Sequence, residues 1–414
     1  MNDEGPARTR RQLMLAPVGV LTAGKVLSTL AVWTTNIAGA ILVFELTGSA
    51  LVVGLVSVLQ FTPQLVLTPL SGARADRRDR FGQLIAGTTV TCLGTLLLVV
   101  WAFALGFTTA RDAYVVVLAA GVIGTGFSIA GPAQSSLLPA LVRRSELADA
   151  LALSSLPIIV ARSLGPAFGA TLYLTAGATV TFAVAVLLHA AFLVVLVVLR
   201  MRVRLAPRAN GSGADRRVRA GLAYLRRSPR TLLQIVGVGI IGVAVDPVTT
   251  LTPSLTAELG APSGFVGTLA SAFGLGAAVG FVLLSRVRLR IGIMRLGAVG
   301  LAVMGAGMLL VAIAPLPSLA TAGIATSGAG MTFSLNAFTT LVQSDVPDAL
   351  RGRVMALWSV AFLGSRPVTA LLTGALTDLV GVRVAFALSA AVVLTGAWAT
   401  RGSRMEALPP SAEA

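Results

Sequence analysis

The sequence predicts an all-α membrane protein with twelve transmembrane helices arranged as two similar halves. The chain of 414 residues is 56% hydrophobic and only 12% charged, too few charges to cover a soluble surface of that size. Apolar runs of about 20 residues, long enough to cross a hydrocarbon core, recur throughout. Basic residues are confined almost entirely to alternate breaks between these runs. The spans must be helical, because backbone groups in lipid have to be hydrogen-bonded internally.

Twelve apolar runs separated by charged or Gly/Pro-rich breaks define the candidate spans. The first run is too long for the core of a signal peptide, so we expect it to remain as the first transmembrane helix. The predicted spans are 17–44, 50–70, 83–106, 113–134, 148–173, 178–199, 231–255, 263–284, 294–314, 318–342, 354–377 and 382–400.

The distribution of Lys and Arg predicts the orientation. With the N-terminus in the cytoplasm, 27 of the 32 basic residues lie on the cytoplasmic side. Only Arg111 and Arg383 lie outside, and Lys25, Arg162 and Arg366 fall within spans. Because Lys and Arg are enriched in cytoplasmic loops, we predict a multi-pass protein of the cytoplasmic membrane with both termini inside. The net charge of +16 is then a signature of topology and not of nucleic-acid binding.

A polar segment at the middle of the chain predicts the domain boundaries. Residues 200–230 combine ten basic residues with a Pro/Gly/Ser core, and RRVRAGLAYLRR within them predicts a short amphipathic helix on the anionic inner leaflet. We expect an N-terminal six-helix bundle at 1–199, this cytoplasmic linker, and a C-terminal six-helix bundle with a cytoplasmic tail at 231–414.

The two halves resemble each other in sequence. ELTGSALVVG at 45–54 matches ELGAPSGFVG at 258–267, and a longer overlay aligns Arg162 with Arg366. Two six-helix repeats around a central linker are typical of a transporter whose halves rock about a site near the midplane.

The turn GARADRRDR at 72–80 carries a more specific signal. Gly72, Asp76, Arg77 and Arg80, with the segments GPAQSSLLPALV and RGRVMALWSVAFLGSRP, resemble the major facilitator superfamily. The resemblance is to its bacterial branch of twelve-helix exporters, which includes the enterobactin exporter and macrolide efflux proteins. It implies the fold of that superfamily and the export of drug-like or siderophore-like molecules.

A second motif of the same superfamily, associated with antiporters, lies in the predicted fifth span. It stands here as SLGPAFGA, with Gly165, Pro166 and Gly169. Ala161 and Ala170 depart from the pattern, which weakens the implication of antiport.

Inserting an ionisable residue at membrane depth costs at least about 2.5–3.5 kcal/mol on insertion scales, so we expect each such residue to have a structural or functional role. Arg162 and Arg366 either face a cavity, where they bind an anion or balance a carboxylate, or tie helices together through backbone carbonyls.

Asp246 is a carboxylate well inside a span, beside the helix-kinking Pro247. Desolvation raises the pKa of a carboxyl group and a nearby cation lowers it. A proton-coupling site requires such opposing effects. The alternatives are a solvated position or permanent pairing with an arginine.

Further polar residues within the spans are candidates for the wall of a substrate cavity. Lys25, the single lysine of the chain, either reaches the inner interface or faces the cavity. His189 either relays protons or is hydrogen-bonded to a neighbouring helix. The remaining candidates are Asn36, Gln60 and Asn336.

The sequence argues against an enzyme. It has no GxxxxGK phosphate loop and no HExxH motif, and its one histidine and one cysteine supply no metal site. We expect no cofactor and no metal.

We therefore predict a secondary active exporter of amphipathic small molecules, driven by proton antiport with alternating access, that acts as a monomer. Few buried charges favour neutral or weakly charged hydrophobic substrates. The alternative is uptake or facilitated diffusion of an organic anion held by Arg162 and Arg366.

The acidic residue of the 72–80 turn predicts a cytoplasmic gate, in which Asp76 contacts the start of the eleventh span near Arg351 and Arg353. Acidic residues contribute little to topology. We therefore expect Asp76→Asn to insert normally and to impair transport, as measured by efflux at matched membrane levels. Unchanged efflux would reduce the cluster to a topology signal.

Overall fold

The computed structural model describes residues 12, 14, 16–75, 79–203 and 218–401. Within these ranges every regular element is a helix. The thirteen α-helices are α1 (Pro17–Thr47), α2 (Ala50–Ala75), α3 (Arg80–Ala104), α4 (Ala113–Ala140), α5 (Leu147–Arg202), α6 (Val218–Arg227), α7 (Pro229–Thr250), α8 (Thr252–Glu258), α9 (Phe265–Ile291), α10 (Ile293–Ile313), α11 (Pro317–Asp345), α12 (Asp348–Val380) and α13 (Val382–Ala399). Two short 3₁₀ turns, Ala110–Asp112 and Arg144–Glu146, precede α4 and α5.

A helix stands at each of the twelve predicted span positions, and ten helical segments of the described ranges are long and apolar enough to cross a membrane. The spans predicted at 148–173 and 178–199 are two helical segments of α5 that meet at Gly177, where the backbone is not helical (φ 80°, ψ 173°). That positive φ suits glycine, which has no Cβ.

The remaining difference in span count concerns α11. This helix is 29 residues long but rich in Gly, Ser and Thr, so its hydropathy is modest. It packs against α7, α9 and α10, and many of its side chains are buried in protein. A helix surrounded by other helices needs less lipid-compatible surface. Large apolar side chains elsewhere, among them Phe103, Leu187 and Val282, are exposed as expected for a surface that faces lipid.

The chain divides into two compact units. One comprises Met1–Leu42 and Thr62–Ser212, and the other comprises Val43–Phe61 and Gly213–Ala414. The end of α1 and the first half of α2 therefore belong to the second unit. In the first unit α3 packs on α4 and α5 around a buried apolar cluster that includes Leu84, Leu137 and Phe192.

Small residues let the helices of the second unit approach closely. A Cβ added at Gly330 of α11 would lie 2.5 Å from the Gly300 carbonyl oxygen of α10, and one added at Gly323 would lie 2.6 Å from that of Gly307. Ser327 of α11 also donates a hydrogen bond to the Met304 carbonyl of α10, at 3.1 Å. Small-residue contacts and interhelical hydrogen bonds are the usual basis of helix association in lipid.

The beginning of α2 is held by a carboxylate from α12. Asp378 accepts hydrogen bonds from the Ala50 N–H at 2.7 Å, the Leu51 N–H at 3.1 Å and the Ser49 hydroxyl at 2.6 Å. A carboxylate at a helix N-terminus satisfies free N–H groups and interacts favourably with the helix dipole. This contact fixes the first turn of α2 within the second unit.

The amphipathic helix predicted in the central linker is present as α6. Its apolar side chains Tyr224 and Leu225 are buried in a cluster with residues of α7, α11 and α12, whereas Arg226 and Arg227 are exposed. The Tyr224 hydroxyl donates to the Asp345 carbonyl at 3.1 Å. The apolar face of α6 thus packs on protein, and its basic end remains accessible.

Candidate functional site

Asp246 lies completely buried in α7, in the second unit. Its Oδ2 atom accepts a hydrogen bond from the Thr250 hydroxyl at 2.8 Å, one helical turn further along. Its Oδ1 atom accepts no hydrogen bond within the described protein. The carboxyl group therefore has one oxygen held in place and one oxygen free to take a proton or another partner.

Arg366 of α12 is the charged neighbour of Asp246. Its Nε lies 3.7 Å from Asp246 Oδ1, and its side chain is 14% exposed. This separation makes an ion pair but not a hydrogen bond. Arg366 Nε has no hydrogen-bond partner in the described protein. The guanidinium carbon lies 3.8 Å from the centroid of the Phe61 ring, within cation–π range.

The first half of α2 completes this cluster. The Ser57 hydroxyl lies 3.5 Å from that of Thr250, and Phe61 is one turn further along the same face of α2. Gly54 supports the close approach, because a Cβ there would lie 2.6 Å from the Ala370 carbonyl oxygen of α12. We name Asp246, Arg366, Thr250, Ser57 and Phe61 the ion-pair site.

The sequence singled out the two charged members of the ion-pair site but not the other three. Thr250 carries a readable signal, since it lies four residues after Asp246 and hence on the same helix face. Ser57 and Phe61 carry none, because only the packing of α2 on α7 and α12 brings them here. The role of Arg366 as the balance of a carboxylate stays a prediction, which its 3.7 Å ion pair with Asp246 supports.

Lys25 lines a cavity of about 300 Å³ within the first unit. Its ammonium group donates a hydrogen bond to the Gln134 Oε1 atom of α4. Close by, the Ser28 hydroxyl lies 3.3 Å from Nδ1 of His189, a side chain that is only 1% exposed. Lys25 therefore lines a cavity within the first unit, and its role in substrate binding stays a prediction.

The other predicted cavity residues are spread over both units. Gln60 is buried in α2, and Asn36 and Asn336 are half-buried in α1 and α11. Arg162 lies in α5, but its side chain is outside the described part of the structure.

The Gly-Pro motif lies where α5 meets α1. A Cβ added at Gly165 would lie 2.7 Å from Trp33 Cβ, and one at Gly169 would lie 2.8 Å from the Thr34 Cα. Pro166 is buried between them. Gly169 allows α5 to approach the backbone of α1, and Gly165 leaves room for the Trp33 side chain, a packing role that the motif did not reveal by itself.

The cytoplasmic turn between α2 and α3 is described in part. Asp76 and Arg77 lie outside the described residues, and the same holds for any gate that they form. Gly72 lies within α2. Arg80 donates to the Ser136 carbonyl of α4, at 3.4 Å.

Asp79, the second acid of this turn, has a role that the sequence interpretation missed. It accepts a hydrogen bond from the Gly82 N–H at 2.9 Å as the N-cap of α3, and it forms an ion pair with Arg200 of α5 at 2.5 Å. An aspartate directly before a helix is the sequence signal for such a cap.

The residues of the predicted partner segment lie in the second unit. Arg351 donates from Nε to the Gln343 carbonyl at 3.0 Å, and Arg353 is half-buried beneath α6, near Gly221. A further acidic residue, Asp345, ends α11 here. Its Oδ2 atom lies 3.0 Å from Arg230 Nε and 2.7 Å from Gln234 Nε2, so it ties α11 to the start of α7.

Two helical units whose spans carry buried ionisable groups define a polytopic membrane transporter of the major facilitator type. A family model described as transmembrane secretion effector, within this superfamily, matches residues 16–413, and the chain belongs to that family. The chain is 27% identical over 407 residues to the multidrug efflux pump Tap of Mycolicibacterium fortuitum, covering 94% of each protein.

Solved transporter structures share this fold. A bacterial homologue of the lysosomal transporter Spinster, in an inward-facing state, superposes with a TM-score of 0.75 at 14% identity, covering 97% of this chain and 98% of the other. A bacterial homologue of the iron transporter ferroportin, also inward-facing, gives a TM-score of 0.73 at 16% identity, covering 93% and 97%. At these identities the likeness concerns the fold alone.

The ion-pair site predicts strong coupling between its two charges. Removing one partner leaves the other buried and uncompensated, so Arg366→Met and Asp246→Asn should each lower stability by about 3–5 kcal/mol. The double variant should lose clearly less than the sum of the two. Reversible unfolding in mixed SDS micelles measures this cycle.

The exposed pair Glu258–Arg383 provides a matched control for that cycle. The same substitutions there, Glu258→Gln and Arg383→Met, should give a coupling of about 0–1 kcal/mol, because solvent screens the pair. Additive losses at Asp246 and Arg366 would contradict a coupled ion pair.

Proposed function

We propose that this transporter exports amphipathic small molecules across the cytoplasmic membrane by proton antiport, with Asp246 as the residue that carries the proton. The observation that carries the proposal is the completely buried Asp246 beside Arg366, with one carboxylate oxygen not hydrogen-bonded. The likeness to a multidrug efflux pump supports export as the direction and drug-like molecules as the substrate class.

The geometry of the ion-pair site suggests how a proton would act. Thr250 holds Oδ2 and leaves Oδ1, the oxygen facing Arg366, as the atom that takes the proton. Protonation removes the attraction between the two side chains. The Phe61 ring remains over the guanidinium group and stabilises its charge when Asp246 is neutral.

Both helices that carry the pair have a proline immediately after the charged residue, Pro247 in α7 and Pro367 in α12. A proline inside a helix removes one backbone hydrogen bond and favours a kink. The change in attraction between Asp246 and Arg366 therefore acts beside a proline in each of the two helices, where the helix can bend. We propose that proton binding is coupled in this way to the alternation of access.

The alternative of an organic anion held by Arg366 is disfavoured by the same contacts. The charge of Arg366 is compensated by Asp246, and its ring contact with Phe61 occupies one face of the guanidinium. A proton antiporter, in contrast, needs a carboxylate whose charged form depends on a nearby cation. Each proton that crosses 100 mV supplies about 2.3 kcal/mol, enough for a useful concentration gradient.

We further propose that both termini lie in the cytoplasm and that the chain works as a monomer. The separation of basic residues supports this orientation, with 27 of 32 on one side. The exposed Arg226 and Arg227 of α6 would then lie next to the anionic inner leaflet.

Single-cysteine labelling tests this orientation on a Cys92→Ser background. Arg111→Cys should react with a membrane-impermeant maleimide in intact cells, because residue 111 is exposed on the proposed outer side. Arg227→Cys should react only after permeabilisation. The reverse pattern would invert the proposed topology.

Proton coupling is tested in proteoliposomes with an imposed pH gradient. Rhodamine 6G, N-phenyl-1-naphthylamine and fluorescein serve as cationic, neutral and anionic probes, with entrapped pyranine reporting proton movement. We expect gradient-driven flux of the transported probe in the wild type. Asp246→Asn cannot take up a proton. Its gradient-driven flux should be at least about tenfold lower than that of the wild type, and its gradient-independent exchange should be retained.

The control variant is Glu258→Gln, which neutralises an exposed carboxylate and should leave the coupled flux intact. Wild-type flux that ignores the pH gradient would exclude antiport. Coupled flux that persists in Asp246→Asn would exclude Asp246 as the proton carrier.

A further inference from the structure

The cavity of about 300 Å³ in the first unit has one cationic group and no acidic residue in its lining. It lies among α1, α2, α3, α4 and α5, and its volume is at the lower end of small-molecule sites. We call it the Lys25 cavity. Its lining residues that bear on ligand chemistry are Lys25, Ser28, Gln64, Gln134, Phe127 and Phe192.

The ammonium group of Lys25 has more N–H donors than it has hydrogen-bond partners within the described protein. It carries three N–H groups, and within the described protein its hydrogen-bond partner is Gln134. An amide oxygen accepts a hydrogen bond but carries no compensating charge. Lys25 is half-buried. A cation without an anionic partner is costly at membrane depth, so an anionic group entering the cavity would be stabilised there.

The threonine hydroxyl groups around the cavity do not compete for this role. Thr29, Thr88 and Thr91 each donate to a carbonyl of their own helix one turn earlier, at 2.8, 2.9 and 3.1 Å. Their protons are therefore committed. Lys25 remains the strong hydrogen-bond donor available to a ligand anion.

Behind the cavity wall, the ring of His189 also has a nitrogen atom without a hydrogen-bond partner in the described protein. His189 contacts Ser28 through Nδ1, and its buried Nε2 has no hydrogen-bond partner in the described protein. Ser28 is a lining residue, so an anion near Lys25 would lie close to a polarisable Ser28–His189 pair. This contact supports a polar end to the cavity.

The remaining walls are apolar. Val32, Leu84, Phe127, Ala130 and Phe192 provide aliphatic and aromatic surface, and Phe192 and Leu84 belong to the buried apolar cluster of the first unit. A ligand that satisfies both ends has a compact aromatic or aliphatic body and one acidic group.

We infer that the Lys25 cavity is a substrate subsite for the acidic group of an amphipathic organic acid, with Lys25 as the anion anchor and Gln134 as the residue that positions it. The inference rests on the proposed function only in identifying the ligand as the exported molecule. It changes the expected substrate class from neutral or weakly charged molecules, as composition alone indicated, to amphipathic acids.

Equilibrium binding to the purified full-length protein in nanodiscs tests this inference without any gradient. The probes are 2-naphthoate and 2-naphthamide, which share one ring system and differ in the negative charge. We expect calorimetry to show at least about tenfold tighter binding of the naphthoate, as a charge-assisted hydrogen bond provides.

Variants locate the preference at Lys25. Lys25→Met should weaken naphthoate binding to the level of naphthamide, and Lys25→Arg should keep the preference. Arg111→Met removes an exposed cation outside the cavity and serves as the matched control. Equal affinities of the wild type for the two probes, no binding of either probe, or discrimination that survives Lys25→Met would overturn the assignment.

A measurement on the unmutated protein guards against misfolding of the variants. Lys25 is the single lysine of the chain, so reductive methylation followed by peptide mass spectrometry reports on its amine alone, apart from the N-terminus. Naphthoate should slow methylation of Lys25 several-fold, and naphthamide should not. Equal protection by both probes would overturn the role of the charge.

The two proposals fail separately. Loss of pH-gradient coupling in the transport assay leaves the binding preference at Lys25 unaffected. Conversely, a transporter that couples through Asp246 but binds both naphthalene probes equally would refute the Lys25 cavity as an acid site and keep the antiport proposal.

Discussion

The structure depends on one constraint: a charged or polar group within an apolar interior needs a partner from the protein itself. Asp246 and Arg366 satisfy that constraint only in part, since they form an ion pair at 3.7 Å and leave hydrogen-bonding capacity unused. The proposed proton coupling would act on this incomplete pairing. Lys25 meets the same constraint with the amide of Gln134 as its partner.

The same constraint shapes the packing around these groups. Helices come close where small residues stand, as at Gly54 against α12 and at Gly165 and Gly169 against α1. Close approach brings hydroxyl and aromatic side chains of one helix to the charges of another, as Ser57 and Phe61 do for the ion-pair site. Asp378 holds the first turn of α2 in the position that this contact requires.

Sequence patterns predicted the fold well and the sites in part. Apolar runs and basic loops predicted a helix at each of the twelve span positions, because membrane insertion is governed by local composition. The break at Gly177 falls between the predicted spans 148–173 and 178–199. The modest hydropathy of α11 makes it a weaker candidate span, and its burial against other helices was visible only in the structure. Asp246, Arg366 and Lys25 stood out because charges are rare at this depth. Their partners Phe61 and Gln134 are ordinary residues that gain a role only through packing, whereas Thr250 lies one turn after Asp246 on the same helix.

By itself the sequence determined the membrane class, the helix positions, the superfamily resemblance and the small set of ionisable residues within spans. These follow from composition and spacing, which act locally along the chain. Only the tertiary structure decided that Asp246 faces Arg366, that Asp79 pairs with Arg200 and that Lys25 lines a cavity beside Gln134. The reason is physical. Each of these contacts depends on distances between helices far apart in sequence, and helix–helix packing sets those distances through small residues whose partners no local pattern identifies.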